Sequence, residues 1–319
     1  MSIDPNFPNL YLSLLALAGG LAMLVAGGEG LVSGASKFAL LHGMRPMVVG
    51  LTIVAFGTSM PELFVSINAA LNGHADIMIG NVIGSNIANI GLVLAISALL
   101  MALPVTFRKI QTEIILVVGA SILVAGISYL GYFQRFFGLL FVGGLIIYTI
   151  YVCRTKKSQD YSSDIAKDLT VADSNLKIIG LQAGGLLLLA LGSDLFIDGA
   201  VDVAVYLGVS ELVVGLTVAA VGTSLPELAS SIAAVRRHQS DILVGNIVGS
   251  NMFNLMMVMG GTAMIRPFAL DRVLLGRDLP VMILFSAVLV PIFAFRQQLD
   301  RYAGGLLLLG YCAYIFCVV

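Results

Sequence analysis

Two stretches of this chain are near copies of each other, set 165 residues apart. Residues 50–94 open GLTIVAFGTSMPELFVSI and run on to DIMIGNVIGSNIAN; residues 215–259 open GLTVAAVGTSLPELASSI and run on to DILVGNIVGSNMFN. No gap interrupts the offset, and about half of the 45 paired positions are identical. Each copy sets one glutamate, Glu62 or Glu227, inside an apolar stretch of helix length. A carboxylate in hydrocarbon is costly and by default marks an ion or proton path. Two of them, at matching places in a duplicated chain, point to a cation transporter.

The rest of the sequence agrees with a bilayer setting. It is 59% hydrophobic and only 11% charged, against roughly 25% charge in a soluble domain. A span needs about 20 apolar residues, and ten candidates fit: 10–33, 46–71, 77–101, 112–131, 136–153, 178–205, 211–235, 242–265, 279–295 and 302–319. The N-terminus has no basic segment ahead of its first apolar run, so that run reads as a span rather than a cleaved signal. A net charge of −1, with no basic run longer than Lys156-Lys157, gives no footing for nucleic acid. Cys153, Cys312 and Cys317 lie in or at the ends of apolar spans without metal or disulfide spacing. His42, His74 and His238 fall in loops, which argues against a histidine metal site in the core.

Basic residues set the orientation, because cytoplasmic loops hold the excess. Alternate loops carry 13 of the 17 Lys and Arg, five of them in the polar stretch 154–177. Both termini are therefore predicted outside and the 154–177 linker in the cytoplasm. The duplication also reaches back to the first span: GLAMLVAGGEGLVSGA at 20–35 matches GLLLLALGSDLFIDGA at 185–200. The units are then 1–153 and 178–319, each of five spans. An odd number makes the second unit enter the membrane upside down. The predicted fold is an all-α polytopic membrane protein of ten transmembrane helices, built as two inverted five-helix repeats. Such repeats place the substrate near the bilayer midplane, where the copies meet.

The chemistry sits in GTSMPE, residues 57–62, and GTSLPE, residues 222–227. Pro61 has no N–H to give the carbonyl of Gly57, so the helix should break near 57–61. In hydrocarbon a freed carbonyl is tolerated only where it is satisfied again or lines a cavity. Thr58 and Glu62, four apart, share a face. Hydroxyl, carboxylate and loose carbonyls are hard oxygen ligands, suited to Ca²⁺ and Na⁺. Thr223, Ser224, Pro226 and Glu227 repeat the set. The following span adds Ser85 and Asn89, one turn apart after Gly84, and Ser250 and Asn254 after Gly249. Asn86 and Asn251 could line the same site or cap the break. Glu29, Asp194 and Asp198 lie toward span ends, within reach of water, and Glu113 reads as interfacial. A kinked helix with small polar residues can serve packing alone, but that does not account for a glutamate in each copy. Two negative charges neutralise one divalent cation. A site able to hold either cation load, but not both, couples two gradients.

These motifs resemble the two α-repeats of the sodium/calcium exchanger family, within the cation/Ca²⁺ antiporter superfamily. The chain looks like a compact prokaryotic member, and the resemblance covers nearly its whole length. It implies Na⁺/Ca²⁺ antiport by alternating access, with Ca²⁺ leaving as Na⁺ enters through the plasma (inner) membrane. Carried over by position, Glu62 and Glu227 would ligate Ca²⁺, helped by the backbone carbonyls of Thr58 and Thr223. Na⁺ would draw on Ala55, Thr58, Ser59, Glu62 and Ser85, and on Ala220, Thr223, Ser224, Glu227 and Ser250. Asn89 and Asn254 would line the centre. The family also implies that spans one and six slide across the other eight. Potassium-dependent relatives carry aspartate where this chain has Asn254, which argues against K⁺ transport. Proton-coupled relatives lack GTSxPE, which argues against H⁺. A H⁺-coupled divalent exchanger is the alternative and a channel is the less favoured one. No HExxH, GxSxG or nucleophile–base pair supports an enzyme. No cofactor is called for beyond the transported ions, the partners are lipid and inorganic cations, and a monomer suffices.

Overall fold

The computed structural model describes residues 6–73, 75–155, 175–207, 222–269 and 274–318. Backbone polar groups in a bilayer must be satisfied internally, and the apolar runs are accordingly helical. α1 covers Leu10–Leu41, running past the expected end at 33. The next span is broken into α2, Pro46–Thr58, and α3, Met60–Leu71, at a bend of 42°. α4 is Ile77–Leu100, α5 Phe107–Tyr129, α6 Arg135–Thr155 and α7 Asn175–Tyr206. α8 is Leu225–Arg236, α9 Ser240–Ile265, α10 Gly276–Arg296 and α11 Arg301–Val318. Among the described residues seven helices are long and apolar enough to cross a membrane, or eight when α2 and α3 count as one broken span. The start of the span expected at 211–235, and most of the 154–177 linker, lie outside the described residues.

The repeated segments take the centre. The most apolar windows of α4 and α9 are 78% and 89% buried, against 22% for α6 and α11. The outer helices turn their apolar side chains outward, as lipid requires. α1 and α7 cross at very short range. A Cβ at Gly20 would lie 2.8 Å from the carbonyl oxygen of Gly192, and one at Gly27 would lie 2.8 Å from that of Gly185. Residue numbers rise along one helix as they fall along the other, so the pair is antiparallel. Small residues are what allow backbones this close in a membrane.

Further contacts come in matched sets. α6 packs on the end of α9 and α11 on the end of α4. Between the helices the chain makes two short β-pairings outside the spans. Leu103 and Pro104 pair antiparallel with Leu299 and Gln298, and Phe133 bridges Phe268. These short pairings are copies of each other, each joining one half to the other. In span five the offset has grown to 166, as the left-handed residues Gly131 and Gln297 show. The extra residue falls where α10 widens into a π-helical turn, Ile292–Arg296, whereas α5 stays regular. A π turn holds one residue more than an α turn.

Candidate functional site

The break in the first copy falls at Ser59, with φ −84° and ψ 2°, and Pro61 opens α3. Ser224 takes the same shape before α8, with φ −90° and ψ 5°, ahead of Pro226. Proline accepts the first turn of a helix but cannot continue one, so the sequence dictates both restarts. Each restart puts its glutamate in the first helical turn, Glu62 in α3 and Glu227 in α8. The far end of α3 is held by Arg266, which donates to the carbonyls of Ala70 and Leu71 at 3.0 and 2.9 Å. A cation there also complements the helix dipole.

Both glutamates are fully buried. None of the four carboxylate oxygens has a hydrogen-bond partner in the described structure. Ser59 Oγ, Ser224 Oγ, Asn89 Oδ1 and both polar atoms of the Asn254 side chain are likewise buried without one. Buried polar atoms are nearly always paired, and an uncompensated buried charge is very costly. A cluster of hard, unpartnered oxygens is what a hard cation such as Na⁺ or Ca²⁺ satisfies.

Cross-contacts join the copies around this cluster. Thr58 Oγ1 lies 3.2 Å from Ser250 Oγ, and Thr223 Oγ1 lies 3.2 Å from Ser85 Oγ. Asn89 donates to Asn251 Oδ1 at 3.0 Å, and Asn251 donates to the carbonyl of Asn86 at 3.2 Å. Ala55, Thr58, Ser59, Ser85, Asn89, Ser224, Ser250 and Asn254 are all buried, while Thr223 is half-buried. Ala220 lies outside the described residues. α4 and α9 each widen into a π-helical turn that starts at the site asparagine: Asn89–Leu94 and Asn254–Met259. Such turns recur at functional sites in helical proteins. The sequence gives no local sign of them.

Two further asparagines belong here although the motif reading passes over them. Asn81 and Asn246 sit one turn before Ser85 and Ser250. Asn81 donates to the carbonyl of Glu62 at 3.3 Å and to Ser66 Oγ at 3.0 Å. Asn246 donates to Ser230 Oγ at 3.2 Å. The i, i+4, i+8 spacing Asn–Ser–Asn was the available signal.

Most of the other membrane carboxylates are engaged elsewhere. Glu29 pairs with Arg237 at 2.8 Å and Arg236 at 3.6 Å. Asp202 accepts from the backbone N–H groups of Asn6 and Phe7 at 2.9 and 2.7 Å. Asp194 is exposed and Asp198 half-buried. Glu113 is not interfacial, as its place at the edge of an apolar run suggests: it is fully buried and takes a hydrogen bond from Tyr148. The helix starts at Phe107, a turn earlier than expected, which carries Glu113 inward. Its copy Asp278 accepts from Tyr314 at 2.9 Å.

Helices of membrane length around two buried glutamates define a polytopic membrane transporter, with these residues as its candidate ion site. The family model of the sodium/calcium exchanger protein matches twice, over residues 12–154 and 177–319, and the chain belongs to that family. It is 34% identical to the inner membrane protein YrbG of Escherichia coli, over 94% of each chain. It is 34% identical to the putative antiporter CaxA of Alkalimonas amylolytica, over 92% of this chain and 95% of that one. The sodium/calcium exchanger MaX1 of Methanosarcina acetivorans is 30% identical over 96% and 98%. The solved structure of the sodium-calcium exchanger NCX_Mj superposes with a TM-score of 0.84 at 29% identity, covering 98% of this chain and all of that one. The protein is thus a cation antiporter of the Ca²⁺ exchanger type.

Proposed function

We propose that the protein exchanges Na⁺ for Ca²⁺ across the plasma (inner) membrane by alternating access, with Na⁺ entry driving Ca²⁺ out. The observation that carries this reading is the set of four buried carboxylate oxygens on Glu62 and Glu227, none with a hydrogen-bond partner among the described residues. Two carboxylates balance one Ca²⁺, and the flanking hydroxyls and amides supply neutral oxygen for Na⁺. Ca²⁺ would bind Glu62 and Glu227 with the carbonyls of Thr58 and Thr223. Na⁺ would bind among Ala55, Ser59, Ser85, Ala220, Ser224 and Ser250, with Asn89 and Asn254 lining the centre. Competition for the shared glutamates couples the two fluxes.

The architecture we assign is ten spans in two inverted units, 1–153 and 178–319. Both termini lie outside, 154–177 is cytoplasmic, and one chain suffices for transport. The antiparallel crossing of α1 and α7 supports the inversion, since these helices are copies. Exchange through the centre then needs α1 and α7 to shift together against the remaining helices.

Radioactive Ca²⁺ uptake into proteoliposomes under imposed Na⁺ or pH gradients tests the reading. Uptake should follow an outward Na⁺ gradient. Uptake that ignores Na⁺ but follows the pH gradient would replace Na⁺ with H⁺, and Ca²⁺ movement with no counter-ion gradient would make the protein a channel.

A further inference from the structure

Asn246 and Asn81 are copies, yet they are wired differently. Asn246 is buried in α9 with 2% of its surface exposed. Its Oδ1 accepts from Thr58 Oγ1 at 3.2 Å, at the last residue of α2. Its Nδ2 donates to Ser230 Oγ at 3.2 Å, and that hydroxyl donates to the carbonyl of Glu227 at 3.0 Å. One amide therefore holds the end of the helix just before Glu62 and the first turn of the helix that carries Glu227. The donor roles are consistent along the whole chain of bonds, so every polar atom of the Asn246 side chain is used. Asn81 is half-buried and, among the described residues, bonds only within its own copy, to Glu62 and Ser66. The threonine it would reach by analogy, Thr223, meets Ser85 instead.

We infer that Asn246 is a positioning residue shared by both central glutamates, setting the gap between their carboxylates, whereas Asn81 serves Glu62 alone. The inference rests on the exchanger reading above. It also makes the duplicated site unequal. A divalent cation that needs both carboxylates depends on the gap. A monovalent cation held on one side depends on it much less.

The test compares Asn246→Ala and Asn81→Ala with wild type and Glu227→Gln in the full-length protein. Half-saturation is measured for Ca²⁺ and for Na⁺, and hydrogen exchange is followed in peptides spanning 55–66 and 225–232. Losing two buried hydrogen bonds should raise the Ca²⁺ half-saturation about tenfold in Asn246→Ala, with a far smaller change for Na⁺. Exchange should quicken in both peptides. Asn81→Ala should quicken 55–66 only. A merely structural role would lower the yield or the maximal rate without splitting the two ions. Ser230→Ala cuts the same link from its other end. It should raise the Ca²⁺ half-saturation, and adding it to Asn246→Ala should change nothing further; it also serves if Asn246→Ala does not fold. Should Glu227→Gln abolish uptake while Asn246→Ala and Ser230→Ala leave Ca²⁺ half-saturation unchanged, the inference falls and the exchanger reading stands. Should wild type show no Na⁺-dependent Ca²⁺ uptake, that reading falls, and hydrogen exchange decides the inference alone: quickening in one peptide only overturns it.

Discussion

The hydroxyl of Thr58 lies 3.2 Å from the hydroxyl of Ser250, across the boundary between the two copies. The copied contact, Thr223 to Ser85, has the same length. Each threonine precedes its glutamate by one turn, and each serine comes from the following span of the other copy. Neither copy therefore holds the whole candidate site. The duplicated halves have to close on each other before the oxygens converge.

Replacing either glutamate should stop Ca²⁺ exchange. Glu62→Gln or Glu227→Gln leaves a divalent cation half-neutralised in a low-dielectric site, a loss of several kcal/mol and so roughly a hundredfold or more in uptake. The same variants should lose the stabilisation that wild type gains from added Ca²⁺. Thermal melts with and without Ca²⁺ check this, and two normally exchanging single variants would refute the site.

Neighbouring glycines in α7 should respond in opposite directions. A Cβ at Gly185 would meet Leu31 N at 2.6 Å and Gly27 O at 2.8 Å, while one at Gly184 meets nothing within 4 Å. Gly185→Ala should destabilise by about 1–3 kcal/mol through backbone displacement. Gly184→Ala should be neutral or gain up to about 1 kcal/mol from helix propensity. Melting temperatures of the two variants in one detergent provide the comparison.

The Glu29–Arg237 pair ties α1 to the residue that ends α8, at 2.8 Å. The copied positions, Asp194 and Asn72, form no such link among the described residues: Asn72 bonds to Asn68. Both side chains are about one-third exposed, so the pair is worth at most about 1 kcal/mol. Glu29→Gln and Arg237→Gln should each change the exchange rate by a few-fold, with no further change in the double variant. A doubled effect in the double variant would show that the two residues act separately.

Acid should loosen the start of α11. The Ala303 backbone N–H donates to Asp300 at 2.8 Å, and with Arg296 alongside, it holds that carboxyl below its ordinary value of 3.8. A lowered value in the folded state means that the cap contributes above pH 4. The contribution fades as the pH falls through the folded value. Hydrogen exchange at the first turn of α11 should be faster in Asp300→Ala than in wild type at neutral pH, and the two should converge at strongly acid pH.

Local chemistry was legible in the sequence, and three-dimensional neighbourhood was not. The break at Ser59 follows from Pro61 and Gly57, because a missing N–H acts within one turn. The inward glutamates follow from the cost of charge in hydrocarbon. Glu113 misleads because Arg108 and Lys109 make the helix start look like a loop, although their heads can reach the interface while the backbone is already helical. The tie from Asn246 to Thr58 could not be read at all. It depends on which helices of the two copies become neighbours. The π turns at Asn89 and Asn254 were hidden for a similar reason, since α and π turns draw on the same residue types.

The wide turn at Ile292–Arg296 has a practical consequence for anyone comparing the two halves. One residue is about 100° of rotation around a helix axis. Aligning α6 with α11 by the offset that serves the ion site would set lipid-facing positions against interior ones. The true mates, such as Tyr148 and Tyr314, both reach a buried carboxylate. The wide turn takes up the one-residue difference, so the tyrosine keeps its grip on the carboxylate in both halves.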